Sequence, residues 1–104
     1  MANLNDCSFI GNLVAEPEMR YTSGGDAVTN FKIAVNGYKE GDVLFLPVKA
    51  WKKTAETCAE YLKKGSKVYV KGRLDISEYE KEGEKKYFTS LNLNQVEFLT
   101  PKEG

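Results

Sequence analysis

The sequence predicts an all-β domain with a single helix. Five segments have strand-like patterns, and one helical segment lies between the third and the fourth of them. The chain has 104 residues, 41% hydrophobic and 29% charged, which suits one globular domain with a modest core. This element order is that of the OB-fold, a five-stranded Greek-key barrel with the helix between strands 3 and 4. We expect residues 1–104 to form one such domain, with an ordered barrel over about 4–99 and a short C-terminal end at 100–104.

The first strand is predicted over residues 4–14, LNDCSFIGNLV. Its apolar side chains fall on both parities, which indicates a strand that is covered on both faces. A barrel seam or a subunit contact would cover it. The segment that follows, AEPEMRYTSGGD, has the proline and glycine punctuation of a loop.

The second and third strands are predicted over 27–36 and 42–51, joined by the turn GYKEGD. Side chains two residues apart on a strand share a face. The expected inward residues are Phe31, Ile33, Val35, Leu44, Leu46, Val48 and Ala50. The expected outward residues are Asn30, Lys32, Ala34, Phe45, Lys49 and Trp51. Pro47 donates no ladder hydrogen bond, so this part of the third strand should lie at an edge or a bulge.

The helix is predicted in KKTAETCAEYLKKG, residues 52–65. Thr54 is the expected cap, Glu56 should lie in the first turn, and Gly65 should end the helix. Its predicted apolar stripe consists of Ala55, Cys58, Ala59 and Leu62.

The fourth and fifth strands are predicted over 67–79 and 87–99, with EKEGEKK as a charged turn between them. The expected inward residues of the fourth strand are Val68, Val70, Leu74 and Ile76, and the outward ones are Tyr69, Lys71, Arg73, Asp75 and Tyr79. Gly72 has the inward parity, which predicts a bend or a close backbone approach.

The outward side chains of the third and fourth strands alternate aromatic rings with cations. Flat rings interleaved with positive charges form a platform on which unpaired bases stack while the charges hold phosphates. Tyr38 at the hairpin tip and Lys52 beside Trp51 extend this pattern. The candidate nucleic-acid-binding residues are Tyr38, Phe45, Trp51, Tyr79, Lys32, Lys49, Lys71, Arg73, Tyr69 and Lys52. Asp75 argues against this interpretation, and exposed aromatic residues can instead pair across strands or form a subunit interface.

The composition excludes several classes of site. There is no histidine, and the two cysteines lack CxxC spacing, which excludes a histidine-based triad and a Cys/His zinc site. We expect no metal, no cofactor and no enzymatic activity, and we interpret Cys7 and Cys58 as buried thiols. The 15 basic and 15 acidic residues cancel, so binding of a polyanion would depend on local clustering. No apolar run approaches the roughly 20 residues of a membrane span, so a soluble cytoplasmic protein is expected.

Two stretches are specific when taken together: FIGNLVAEPEMRYTSGGDAVTNFKIAVN and WKKTAETCAEYLKKGSKVYVKGRL. On them the chain resembles the bacterial single-stranded DNA-binding protein family, from about Leu4 to Leu99. The resemblance implies an OB-fold that assembles as a homotetramer, with a dimer as the alternative. It also implies sequence-independent binding and protection of single-stranded DNA in replication, recombination and repair. The base-stacking aromatic residues of the family fall here on Tyr38, Phe45, Trp51 and Tyr79.

Three departures from the family pattern bear on function. The hairpin around Tyr38 to Asp42 is short, and DISE at 75–78 stands where the family tends to be basic. The sequence ends at TPKEG, without the disordered linker and acidic tip of the family, so partner enzymes recruited by that tail are not expected. A short tail-less paralogue, a phage or plasmid version and a truncated form would each explain this end.

Two alternatives to single-stranded DNA stay open. The first is an OB-fold protein-interaction module of primosome or scaffold type that binds nucleic acid weakly. The neutral charge and the DISE stretch favour it. The second is single-stranded RNA as the ligand, because base stacking does not read the 2′-hydroxyl.

Overall fold

The structure is a computed structural model and describes residues 4–99. It contains six strands and one helix within that range. In chain order they are β1 (Cys7–Leu13), β2 (Glu18–Tyr21), β3 (Ala27–Asn36), β4 (Val43–Trp51), α1 (Lys52–Tyr61), β5 (Lys67–Lys81) and β6 (Glu84–Phe98). The predicted C-terminal end at 100–104 lies outside the described residues.

The strands form one sheet that closes on itself. Their order is β1-β5-β6-β4-β3-β2, and β1 also pairs with β3 through Asn12 and Leu13. The pairings are antiparallel except for a short parallel contact between β4 and β6, at Val48 with Leu91 and Lys49 with Asn92. The helix joins β4 to β5, which are the third and fourth strands of the prediction. The predicted OB-fold is confirmed.

The core lies inside this ring and against the helix. The fully buried strand residues come from β3, β4, β5 and β6 and include Ile33, Val48, Val68, Val70 and Leu91. Thr29, also fully buried, donates its hydroxyl to the Ala55 carbonyl at 2.6 Å, which ties α1 to β3. Cys58, on the inner side of α1, is buried as predicted, and this burial raises the pKa of its thiol to about 11.

The strand β2 was not predicted, because it lies inside the segment interpreted as a loop. Its four residues pair antiparallel with residues 27–30 of β3, and all four are exposed. A strand without a buried face has no hydrophobic alternation in its sequence, so no periodic signal revealed it.

The predicted ends of the helix were wrong. The residue at the N-cap is Trp51, which is extended and makes no side-chain cap, whereas Thr54 lies inside the helix. Glu56 is beyond the first turn, which contains no acidic residue. The helix ends before Leu62, whose N–H donates to the Cys58 carbonyl at 3.0 Å, and Gly65 follows in a turn with a φ of 90°.

Two residues predicted to be in the core are exposed. Leu44 and Ile76 have the inward parity of β4 and β5, but they are 49% and 61% exposed. Both lie where a hairpin extends past the ring, so the inward face meets solvent there instead of another strand. The predicted charged turn is also mostly strand: β5 and β6 pair as far as Lys81 and Glu84. Only Glu82 and Gly83 form the turn, both with positive φ, as a type I′ turn requires.

The close approach predicted at Gly72 is confirmed. A Cβ atom there would lie 2.0 Å from the carbonyl oxygen of Asn92. The register between β5 and β6 shifts at the same place, between Lys71 and Gly72. Glycine therefore lets the two backbones touch at the bulge.

Candidate nucleic-acid interface

A row of polar side chains crosses five strands on the outside of the sheet. In the register of the sheet, Arg73 of β5 is opposite Asn92 of β6, and Asn92 is beside Lys49 of β4. Lys49 is opposite Asn30 of β3, which is opposite Glu18 of β2. Neighbouring strands are about 4.8 Å apart, so Arg73 and Lys49 are separated by roughly 10 Å. Two cations that are distant in the sequence thus share one row.

The outward residues of β4 place aromatic rings on either side of this row. Phe45 and Trp51 are 57% and 42% exposed, while Leu46, Val48 and Ala50 between them are buried. The ammonium of Lys49 lies 5.7 Å from the centre of the Trp51 ring, within the range of a cation–π interaction. Lys49 has no ion pair with an acid among residues 4–99. The ring of Trp51 therefore positions the ammonium of Lys49, and no acid in the described part of the chain neutralises its charge.

The hairpin between β3 and β4 contributes two more of the predicted residues. Lys32 is exposed and lies opposite Pro47, two residues along β3 from Asn30. Pro47 itself lies just before the short β4–β6 pairing, so its position is edge-like, as its missing N–H requires. Tyr38 is fully exposed in the connection between the strands.

The hairpin between β5 and β6 presents two aromatic residues on the same side as Arg73. Tyr79 lies opposite Lys86, and Phe88 lies opposite Ser77. The two rings are 48% and 50% exposed. Phe88 was missed by the sequence analysis, although the alternation of β6 contains the signal. Leu91 and Leu93 mark the inward parity of that strand, which leaves Phe88 outside.

A groove of about 380 Å³ runs between these two hairpins. Its lining includes Asn30, Lys32, Pro47 and Lys49 on one side and Phe88 and Ser90 on the other, with Glu16 and Glu18 also contributing. The groove exists because β4 and β6 pair at only two positions and diverge beyond them. We call this whole surface the groove face: Asn30, Lys32, Phe45, Lys49, Trp51, Arg73, Tyr79, Phe88 and Asn92.

Tyr69 and Lys71 lie on another part of the outer surface, beside β1. Ile10 is opposite Tyr69, and Ser8 is opposite Lys71. The Tyr69 hydroxyl is 3.3 Å from the Ser8 hydroxyl, and the Lys71 ammonium is 3.5 Å from an oxygen of Asp6. We call this surface the β1 face: Asp6, Ser8, Ile10, Tyr69 and Lys71. The structure does not bring it next to the Lys49–Trp51 pair.

The remaining candidate, Lys52, follows Trp51 and begins the helix. It is exposed, and its φ of 57° lies in the left-handed region.

Acidic residues also border the groove face. Asp75 is exposed opposite Ser90, and Glu18 forms an ion pair with Arg20. The local field is thus mixed in sign.

The part of the chain that the structure describes, residues 4–99, contains no cluster of three or more histidine, cysteine or acidic residues that could hold a metal ion. Over the same residues, the helix is too short and too polar to cross a membrane.

A closed ring of strands with aromatic and cationic side chains on its outer face is typical of OB-fold proteins that bind nucleic acids. The chain belongs to the Single-strand binding protein family, whose family model matches residues 4–99.

Relatives that are named for single-stranded DNA binding agree with that match. The chain is 42% identical to the single-stranded DNA-binding protein of Paenarthrobacter aurescens over 106 residues, which cover 92% of this chain and 62% of that protein. It is 39% identical to single-stranded DNA-binding protein A of Bacillus subtilis (strain 168), with 97% of this chain and 62% of that protein covered. For the single-stranded DNA-binding protein of Corynebacterium glutamicum, identity is 42% and coverage is 84% and 43%. The chain therefore spans less than two thirds of the length of these relatives.

Proposed function

We propose that this protein is a non-enzymatic binder of single-stranded DNA that uses the groove face. The observation that carries the proposal is the cation–π contact between Lys49 and Trp51, because Lys49 lies in the row that also contains Arg73. The names of its relatives support the same ligand. Stacking on Trp51, Phe45, Tyr38 and Tyr79 would hold the bases, and Lys32, Lys49 and Arg73 would hold the phosphates.

This arrangement implies binding without sequence preference. Every base has a π face, so a stacked base contributes roughly 1–3 kcal/mol whatever its identity. The chain carries no net charge, and few cations lie on the groove face. Stacking should therefore supply more of the affinity than phosphate contacts do.

The biological role that we propose is protection of single-stranded DNA during replication, recombination and repair, in the bacterial cytoplasm. The relatives in Paenarthrobacter and Bacillus, which are named for single-stranded DNA binding, support it. Single-stranded RNA remains a competing ligand, because stacking does not distinguish the sugars. A competition between oligo-dT and oligo-rU of equal length would separate the two, and stronger displacement by the RNA would contradict the proposed role.

We further propose that the chain forms a homotetramer, with a dimer as the alternative. The β1 face supports a subunit contact, because Ile10 is 49% exposed between polar neighbours on a strand whose other parity is packed on the core. Sedimentation at micromolar concentration should show the assembly, and a monomer there would contradict it.

A protein-interaction module is the second candidate function. The acids near the groove, Glu16, Glu18 and Asp75, favour it, because they would repel phosphates and accept basic groups of a protein partner. Affinity for DNA separates this candidate from the first.

The experiment that tests the proposal is a titration with oligo-dT at moderate salt, followed by the emission of Trp51, the single tryptophan of the chain. If Trp51 stacks on a base, the emission should be quenched and should saturate with the binding isotherm. An affinity no better than millimolar would contradict the proposal and leave the protein-interaction module.

A further inference from the structure

Phe88 has the surroundings of a binding residue, although it is not among the candidates predicted from the sequence or implied by the resemblance. Its ring is 50% exposed on the outer side of the β5–β6 hairpin. It lines the groove across from Lys32, Pro47 and Lys49. A large apolar ring at the mouth of a groove leaves apolar surface in water, which is unfavourable unless something covers it.

The structure gives Phe88 no partner of its own. The ring contact found among residues 4–99 joins Tyr61 to Phe98, and Phe88 takes part in none. Directly across the hairpin from it is Ser77, which offers no apolar surface of comparable size. Cross-strand pairing, the usual structural reason for an exposed aromatic residue in a sheet, is therefore absent at this position.

We propose that the groove is a subsite for one unpaired base, which stacks on Phe88. The inference rests on the proposed function, since the base belongs to the strand bound along the groove face. The volume of about 380 Å³ lies within the roughly 300–1,000 Å³ of typical small-ligand sites. The groove therefore has room for a base but not for a folded partner.

The charges around the groove favour this occupant and its orientation. Lys32 and Lys49 lie on the β3–β4 side, where they can hold the sugar–phosphate backbone. Glu16 and Glu18 also line the groove and would repel a phosphate placed beside them, Glu18 more weakly because it is paired with Arg20. If a neutral base lies inside the groove and the phosphates lie beside Lys32 and Lys49, the phosphates contact cations and stay away from the acids. Asn30 and Ser90 add neutral hydrogen-bonding groups next to the base edge.

The neighbouring residue provides a matched control. Tyr87 is an aromatic residue on the same strand, 65% exposed, but it has the opposite parity and lies across from Glu78. Phe88→Ala and Tyr87→Ala thus remove similar rings from opposite faces of one hairpin. Phe88→Tyr keeps a flat ring, and Phe88→Leu keeps apolar bulk without one. Thermal unfolding of all four variants shows whether any loss is only structural.

The measurement is affinity for dye-labelled oligo-dT by fluorescence anisotropy, with Trp51 quenching as a second readout. Phe88→Ala and Phe88→Leu should weaken binding by about five- to 150-fold, the loss expected for one stacked base. Phe88→Tyr and Tyr87→Ala should bind like the parent chain. On a strand of abasic deoxyribose phosphates, Phe88→Ala should cost nothing.

Three outcomes would overturn the subsite. Equal affinities of Phe88→Ala and Tyr87→Ala for oligo-dT would do so while the proposed function stands, provided that the parent chain binds and quenches. A Phe88→Leu protein that binds at full strength would show that apolar bulk, not a stacked base, is what the position needs. A parent chain that does not bind oligo-dT would overturn both proposals together.

Discussion

Lys49 and Lys71 are two half-buried lysines on outward positions of neighbouring parts of the sheet, and their surroundings differ. Lys49 lies against the face of Trp51 and has no acidic partner among residues 4–99. Lys71 lies 3.5 Å from Asp6 across the β1–β5 pairing. The first cation belongs to the groove face and the second to the β1 face.

The difference indicates that the two surfaces suit different partners. A cation that lies over a neutral ring can still attract a phosphate. The electrostatic field of a cation paired with a carboxylate is largely cancelled. The β1 face also exposes Ile10 beside the hydroxyl pair of Tyr69 and Ser8, a mixture that is typical of subunit contacts. We therefore propose that the groove face binds DNA and that the β1 face mediates self-association.

The largest expected effect is on assembly. Ile10→Asp places a carboxylate in the proposed subunit contact, where burial without a partner is expected to cost several kcal/mol. Sedimentation velocity at micromolar concentration should show that this variant is a monomer. An assembly that survives the change would mean that the β1 face is not the contact.

The second effect separates the aromatic residues of the two surfaces. Trp51→Ala should lower the affinity for oligo-dT by about 1–3 kcal/mol, the contribution of one stacked base. Tyr69→Ala removes an aromatic residue of the β1 face, and anisotropy with labelled oligo-dT should show nearly unchanged affinity. If the two variants lose affinity equally, the division into two surfaces fails. Val48→Ala changes a buried residue of the strand that also carries Trp51. It should instead lower the free energy of unfolding by about 2 kcal/mol.

The third effect concerns the acid beside the groove face. Asp75→Lys replaces a negative charge opposite Ser90 with a positive one. The plot of log affinity against log salt should steepen by about 0.7, the value for one more phosphate neutralised on a single strand. Binding at low salt should also tighten. An unchanged slope would show that the DNA does not pass over this part of β5.

The fourth effect compares the two lysines directly. Lys49→Ala should make the salt dependence of oligo-dT binding shallower by about 0.7 in slope. Lys71→Ala should leave that slope nearly unchanged, because its charge already faces Asp6. Titrations at four or more salt concentrations measure both slopes. A larger change for Lys71 than for Lys49 would reverse the assignment of the surfaces.

The smallest effect is at Lys52, the residue after Trp51, where backbone strain and a positive charge coincide. Its φ of 57° is unfavourable for a side-chain-bearing residue by about 1–2 kcal/mol, and glycine avoids that strain at an entropic cost of about 0.5–1 kcal/mol. Lys52→Gly should thus stabilise the fold by roughly 0.5 kcal/mol in chemical denaturation. The control Lys53→Gly, one residue further into the helix, should destabilise it by about 1 kcal/mol.

Binding by the Lys52→Gly variant adds a separate result. If Lys52 contacts a phosphate, the affinity of this variant for oligo-dT should fall while its free energy of unfolding rises. A variant that is less stable than the parent would show that the left-handed conformation is not strained.

Local patterns predicted the elements that have one buried face. The second predicted strand matches β3 at both ends, because the alternation of Phe31, Ile33 and Val35 is uninterrupted there. The same rule failed at Leu44 and Ile76, since alternation reports which residues share a face but not whether anything covers that face. It gave no signal for β2, all of whose residues are exposed.

Outside β-bulges such as the one at Lys71 and Gly72, the sequence by itself determined which side chains share a side of a strand, because that depends only on the two-residue repeat of an extended backbone. It thereby placed Phe45, Lys49 and Trp51 on one side of β4. Only the tertiary structure decided which strands are neighbours and in what register. Strand pairing aligned Arg73 with Lys49 through Asn92, placed Lys71 beside Ser8 of β1, and brought Phe88 to the groove. These relations are hydrogen-bonded contacts between residues far apart in the chain, so no local pattern encodes them.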